Sequence, residues 1–222
     1  MKINELFEPQ SIPVSFDSNF TLYDQTIQFI KEKCSNIILE YKNTNKVLYR
    51  GFGEFIEKDI FIAQSPENRI PVDSHETASK LFDISLKNHN IRALRSNSIF
   101  TTSIFNDVAL YTKSRGESSI FCIFPINGFD YCWLHNSADL VLYNFTLGKY
   151  VLGFSALESD IDNIYKKFYS DKKKYSELIF NYYRPKDTNI SEAITKGHEV
   201  WIHGSYIAIR NSKTDLINQI LE

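Results

Sequence analysis

The sequence is short of the residues that interrupt regular structure. Glycine occurs 8 times and proline 6 times in 222 residues, which excludes a collagenous, low-complexity or disordered chain. Cysteine is scarce too. Cys34, Cys122 and Cys132 are odd in number and lack metal-ligand spacing, so they read as reduced, buried thiols rather than a disulfide framework or redox centre. Neither sign of charge dominates: the formal net charge is -2, so no overall field draws the chain to nucleic acid or to an anionic membrane. No apolar run is long enough to span a bilayer. The opening MKINELFEPQ has acids and no apolar h-region, so no secretory signal is expected. Walker-type, GxGxxG, HExxH and nucleophile-elbow motifs are all missing. Glu158, Asp160 and Asp162 cluster without the glycine and spacing of a calcium loop and read as an acidic first helical turn; no metal site is expected.

What is present is a large apolar and aromatic complement, 43% hydrophobic with 17 Phe and 13 Tyr. That is enough for one sizeable core, and the chain reads as a single domain. Residues 1–45 form a helical lead-in, 46–210 a core and 211–222 a closing helix. Ile27, Ile30, Cys34, Ile37, Ile38 and Tyr41 recur at three- and four-residue steps, predicting one amphipathic helix from Tyr23 to Tyr41, closed by Asn43 and Asn45. Strands are predicted at Lys46–Phe52, Ser98–Thr102, Ser118–Pro125, Asp130–Leu134, Glu199–Ile202 and Tyr206–Ile209. The stretch between Phe52 and Asp73 reads as a loop. Helices are predicted from a cap at Asp73 or Ser74 to about His89, over Asn106–Thr112, as two segments around Asp171 within Ile161–Tyr183, and over Asp215–Leu221. Ser191–Lys196 reads as a helical turn or a loop, and Leu140–Phe154 carries no clear pattern. Short strands in a non-alternating order with helices indicate an α+β fold.

Three pieces resist a purely structural reading. Arg50 and Gly51 end an apolar strand; an edge strand with its guanidinium in water competes with a phosphate clamp, in which arginine presents a planar fork of donors and the glycine admits a ligand to the backbone. Phe100 is followed by Thr101, Thr102 and Ser103. Hydroxyls commonly satisfy turn backbone groups, but three in a row at a strand end could also line a ribose. Glu199 opens the apolar run Val200-Trp201-Ile202; it is either a surface glutamate or a carboxylate held in a cleft to stabilise a cationic transition state.

In that order, Arg-Gly on a strand, an aromatic before a hydroxyl triplet, and a late Glu leading EVWIHGSYIAI resemble the arginine–serine–glutamate clade of ADP-ribosyltransferases. From Arg69 to Leu140, RIPVDS, RSNSIFTTS and IFPINGFDYCW are further similar to phage-encoded and bacterial members, and the resemblance as a whole covers roughly residues 46–210. The resemblance implies an ADP-ribosyltransferase-like split β-sandwich with flanking N-terminal and inserted helices. It implies NAD as substrate and no metal, with Glu199 and Thr101 catalytic. Arg50 would hold the phosphates, Gly51 the carboxamide, and Thr102, Ser103, Arg95 and Tyr111 would line the NAD site. The expected activity is transfer of ADP-ribose to a host macromolecule, a protein rather than a nucleic acid, by a cytoplasmic effector without membrane association. Many arginine-modifying members carry an acid or glutamine two residues before the catalytic Glu. Here that residue is Gly197, which leaves another side chain, a base or water as acceptor. A nucleic-acid-directed enzyme, an NAD glycohydrolase toxin and a non-catalytic binding or inhibitor module on the same fold are the alternatives. Arg69 and Arg92 precede the hydroxyl strand, Trp133, Phe124 and Trp201 read as core, and His198 stands beside Glu199 on the acceptor side.

Overall fold

The computed structural model describes residues 22–53, 56–69, 76–112, 119–136 and 170–222. Among them are seven helices and eight strands. Helices α1 (Leu22–Lys33) and α2 (Ser35–Thr44) precede β1 (Leu48–Gly51) and β2 (Ile60–Gln64). Then come α3 (Glu76–Asn88), β3 (Ile99–Thr101), α4 (Phe105–Tyr111), β4 (Ile120–Pro125) and β5 (Asp130–Leu134). After the undescribed 137–169 follow α5 (Lys172–Tyr183), β6 (Pro185–Lys186), α6 (Ile190–Lys196), β7 (Val200–His203), β8 (Ser205–Arg210) and α7 (Thr214–Leu221). The strands form two antiparallel four-stranded sheets, one ordered β1-β4-β8-β2 and the other β3-β7-β5-β6. The fold is α+β. No helix among the described residues is long and apolar enough to cross a membrane.

The amphipathic stripe predicted near the N-terminus is real, but it belongs to two helices. Ile30, Cys34, Ile37 and Tyr41 are buried in line. Cys34, at φ -119° and ψ 21°, leaves helical geometry between α1 and α2. The cause lies in the β4–β5 turn. Asn127 Oδ1 accepts from Asn36 N at 3.1 Å, while its Nδ2 donates to Glu32 O at 3.2 Å and to Ser35 Oγ at 2.9 Å. A side chain inserted into the ladder thus takes up the groups that the kink releases. Asn45 closes α2 in the left-handed region, as its residue type allows.

The region read as a loop after Phe52 contains β2, which pairs with β8 from Ile60↔Ile209 to Gln64↔Ser205. Ser191–Lys196 lies in the helix α6. Asp171 is the N-cap of α5, its side chain accepting from Lys174 N; the first of the two helices expected there, the candidate cap at Asp73 or Ser74, and Leu140–Phe154 lie outside the described residues. One apolar cluster gathers Phe121, Phe124, Ile207 and Ile209 from the first sheet, Ile99, Trp133, Val200 and Ile202 from the second, and the buried faces of α1, α2, α6 and α7. The other face of the second sheet carries Cys132, Leu134 and Trp201 into a smaller cluster with Leu81, Phe82 and Leu86 of α3 and Ile179 and Tyr183 of α5. Strand β7 therefore buries both faces, alternate side chains going to different clusters.

Candidate active site

The two sheets are tied together where β1 meets the end of β3. Tyr49 N donates to Thr102 O at 2.7 Å and Thr102 N to Tyr49 O at 3.1 Å, an isolated antiparallel bridge. The next residue along, Arg50, donates from Nη1 to Phe100 O at 3.1 Å. Position 50 and the hydroxyl strand, far apart in sequence, are thereby in contact.

Strand pairing fixes which way each side chain points. Arg50 lies opposite Phe121, which lies opposite Arg210. Period-two alternation then puts Arg50, Phe52, Phe121 and Tyr206 on one face of the first sheet, and the Arg50 guanidinium stands 5.2 Å from the Phe52 ring centroid. Burial lowers the pKa of this guanidinium; the charges of Tyr206 and then of Glu199 push it back up. The Arg50 Nε is buried and makes no hydrogen bond among the described residues.

Glu199 immediately precedes β7 and projects on the same side as Trp201, whose indole Nε1 donates to Glu199 Oε1 at 2.6 Å. Phe100 pairs with Trp201 across the strands. Arg95, in the turn before β3, lies 4.9 Å from the Phe100 ring centroid and 5.5 Å from that of Trp201. Arg69 lies 3.9 Å from the other partner of this stack, the Phe100 ring. The turn that carries Arg95 is held by Asp83, whose carboxylate accepts from Arg95 N at 2.8 Å and Ser96 N at 3.2 Å. Burial pushes the Asp83 carboxyl up, and those hydrogen bonds work against it. Arg50, Arg95, Phe100, Glu199 and Trp201 therefore converge.

The hydroxyl triplet behaves differently. Thr101 is 2% exposed and pairs with Val200, so it faces away from the Glu199 side of the sheet. Its Oγ1 donates to Val200 O at 2.9 Å. Thr102 Oγ1 donates to Gly197 O at 3.2 Å, and Ser103 Oγ to Ile194 O at 2.5 Å. Each hydroxyl carries one proton, and all three protons go to main-chain carbonyls on either side of Glu199, those of Ile194, Gly197 and Val200.

Gly51 and Gly197 have different surroundings. A Cβ on Gly51 would stand 2.7 Å from Thr112 Cγ2 and 3.3 Å from Val108 Cγ1, so one side of this residue is filled by α4. Its main chain is placed otherwise. Tyr49 spends its N–H and C=O on Thr102 while Phe52 N donates to Ser119 O beside β4, and the antiparallel alternation turns the Gly51 N–H and C=O to the edge away from β4. Gly197 caps α6 at φ +74°, and a Cβ there would come within 2.4 Å of Ile104 Cδ1. The Tyr111 side chain lies outside what the structure describes. His198 Nδ1 is 2.8 Å from Leu134 O and its ring meets the edge of Trp133, in the cluster on the far side of β7 from Glu199. Among the described residues no group of three His, Cys, Asp or Glu side chains could hold a metal ion.

Trp201 is buried in the core, as its apolar surroundings in the sequence suggest, and it also meets Glu199. Glu-x-Trp on a strand was the available signal, since residues two apart share a face. No family model matches this chain, and no curated protein or solved structure matches it either.

Proposed function

We propose that this chain is an NAD-dependent mono-ADP-ribosyltransferase whose two sheets form the split β-sandwich of that family. The observation that carries the reading is the chain of contacts that brings Arg50 and Glu199 to the same pair of strands: Arg50 Nη1 donates to Phe100 O, Phe100 pairs with Trp201, and the Trp201 indole donates to Glu199 Oε1. An arginine with donors to spare beside an ionisable acid fits a substrate that brings a diphosphate and a carbon about to become cationic. Arg50 holds the diphosphate through its planar fork. The edge-facing Gly51 N–H and C=O suit an amide that both donates and accepts. The Glu199 carboxylate accepts the ribose 2′-hydroxyl.

As the C–N glycosidic bond breaks, its electron pair leaves with nicotinamide, and the positive charge passes from the pyridinium to the ribose C1′–O unit. A fixed carboxylate favours that charge distribution over the ground state. The acceptor nucleophile then adds to C1′ and gives up a proton. The acceptor is not a guanidinium oriented by a residue two before Glu199, because residue 197 is glycine and has no side chain to orient one. We take it to be another group on a host macromolecule, a protein first.

The test is nicotinamide release from NAD by the purified chain, with transfer of labelled ADP-ribose to lysate followed by protease or nuclease digestion. Glu199→Gln keeps the shape and removes the charge. It is expected to lower kcat by about 10²–10³-fold while calorimetry shows NAD affinity changed only a few-fold. Release at the wild-type rate by this variant would overturn the mechanism. The commitment of all three hydroxyl protons to main-chain carbonyls favours one second reading, a binding module without turnover; no heat on adding NAD to the wild type would select it.

A further inference from the structure

We infer that Trp201 is the residue that positions the Glu199 carboxylate, in place of the hydroxyl triplet. The inference rests on the reading of Glu199 given above.

A carboxylate that must meet one ribose hydroxyl needs a donor to fix its rotation, since χ3 of glutamate is broad. The hydroxyls beside it cannot serve. Thr101 lies on the opposite face of the sheet and donates to Val200 O. Thr102 and Ser103 donate to Gly197 O and Ile194 O. A hydroxyl that has given its single proton to a carbonyl retains only acceptor lone pairs, and an ionised carboxylate is acceptor-only. The indole is donor-only, and its N–H meets Glu199 Oε1 at 2.6 Å. This is a charge-assisted bond, the stronger kind.

The donor is also held still. Trp201 is 1% exposed. Phe82 meets its ring edge-on at 5.4 Å, Phe100 lies tilted at 5.9 Å, and Arg95 stands over it. With its rotamer fixed by packing, the indole directs Oε1 and so sets the rotation of the whole carboxylate. Trp133, the other tryptophan, donates to Thr188 O at 3.0 Å, so the two indoles are distinguishable reporters within one molecule.

The experiment combines kinetics with nitrogen–proton correlation spectra of the two indole N–H groups. In Trp201→Phe, kcat for nicotinamide release is expected to fall about tenfold or more, because one hydrogen bond to a charged group is lost, with KM for NAD within about twofold. A purely packing role would lower stability without splitting kcat from KM. In Glu199→Gln, where Trp201 is untouched, the Trp201 indole proton is expected to move upfield as its acceptor loses charge, while the Trp133 resonance stays in place. If Trp201→Phe folds and keeps the wild-type kcat, Trp201 does not position the acid. If the Trp201 resonance does not move in Glu199→Gln, the contact itself is absent, whatever the kinetics. Should the wild type not turn over NAD at all, the proposed activity fails, and the indole shift still decides whether Trp201 holds Glu199.

Discussion

Gly197 joins the most local physics of this molecule to its chemistry. Its φ of +74° is open to glycine and costly for any other residue. The Cα hydrogen that a side chain would replace points at Ile104, whose Cδ1 and Cγ1 would stand 2.4 and 2.5 Å from an added Cβ. From the sequence alone, position 197 is a missing acid; with coordinates it is a position where a side chain meets both a strained backbone and Ile104. Gly197→Ala is therefore expected to lose about 1–3 kcal/mol of stability, measured by urea unfolding. The two contributions separate in a cycle. Ile104 is itself 38% exposed, so Ile104→Ala alone should cost little. Combined with Gly197→Ala it should restore the steric part and leave the backbone part. Additive effects of the two substitutions would show that Ile104 does not press on residue 197.

The elements were legible where their cause is local and hidden where it is remote. The apolar period from Ile27 to Tyr41 announced helix correctly, but the break at Cys34 is made by Asn127, which no window around residue 34 contains. Strand β2 is hard to see locally, because IFIAQ is only five residues long and Pro66 and Pro71 follow it closely. Arg50, Glu199 and the hydroxyl triplet stood out as residues that a core does not require, whereas the carbonyls that the hydroxyls bind could not be read from a linear chain. Those carbonyls belong to residues 194, 197 and 200, so the triplet laces the end of α6, the connector and the start of β7 to the end of β3. Thr102→Val keeps the shape of the side chain and removes both its bond to Gly197 O and its acceptance from Ile104 N. The expected cost is about 1–2 kcal/mol. Amide exchange should quicken at residues 197–199 while the amides of α3 keep their protection. Equal acceleration in α3 would mean that the substitution acts on global stability and that the lacing is not local.

At the scale of the whole molecule, the question is whether two apolar clusters make one cooperative unit. Strand β7 argues that they do, because Val200 and Ile202 enter one cluster and Trp201 the other, so neither can open without moving the same backbone. The three thiols sample both. Cys34 and Cys122 lie in the cluster shared by the sheets, and Cys132 in the one beneath α3 and α5. All are free and buried. Burial pushes Cys34 and Cys122 up to about 12, and raises Cys132 as well. At pH 8 a thiol of that pKa is ionised to roughly one part in 10⁴, and only the thiolate attacks an aromatic disulfide reagent. The native protein should thus resist labelling, and all three sites should react promptly once urea unfolds it. Below the transition, labelling proceeds through opening and tracks the free energy of the opened form. If β7 couples the clusters, protection of Cys34, Cys122 and Cys132 should decline with the same dependence on urea, read site by site by mass spectrometry of the labelled peptides. Earlier labelling of Cys132 would show that α3 and α5 peel away from the second sheet as a separate unit. The face carrying Trp201 and Glu199 would then be less firmly backed than the face carrying Thr101.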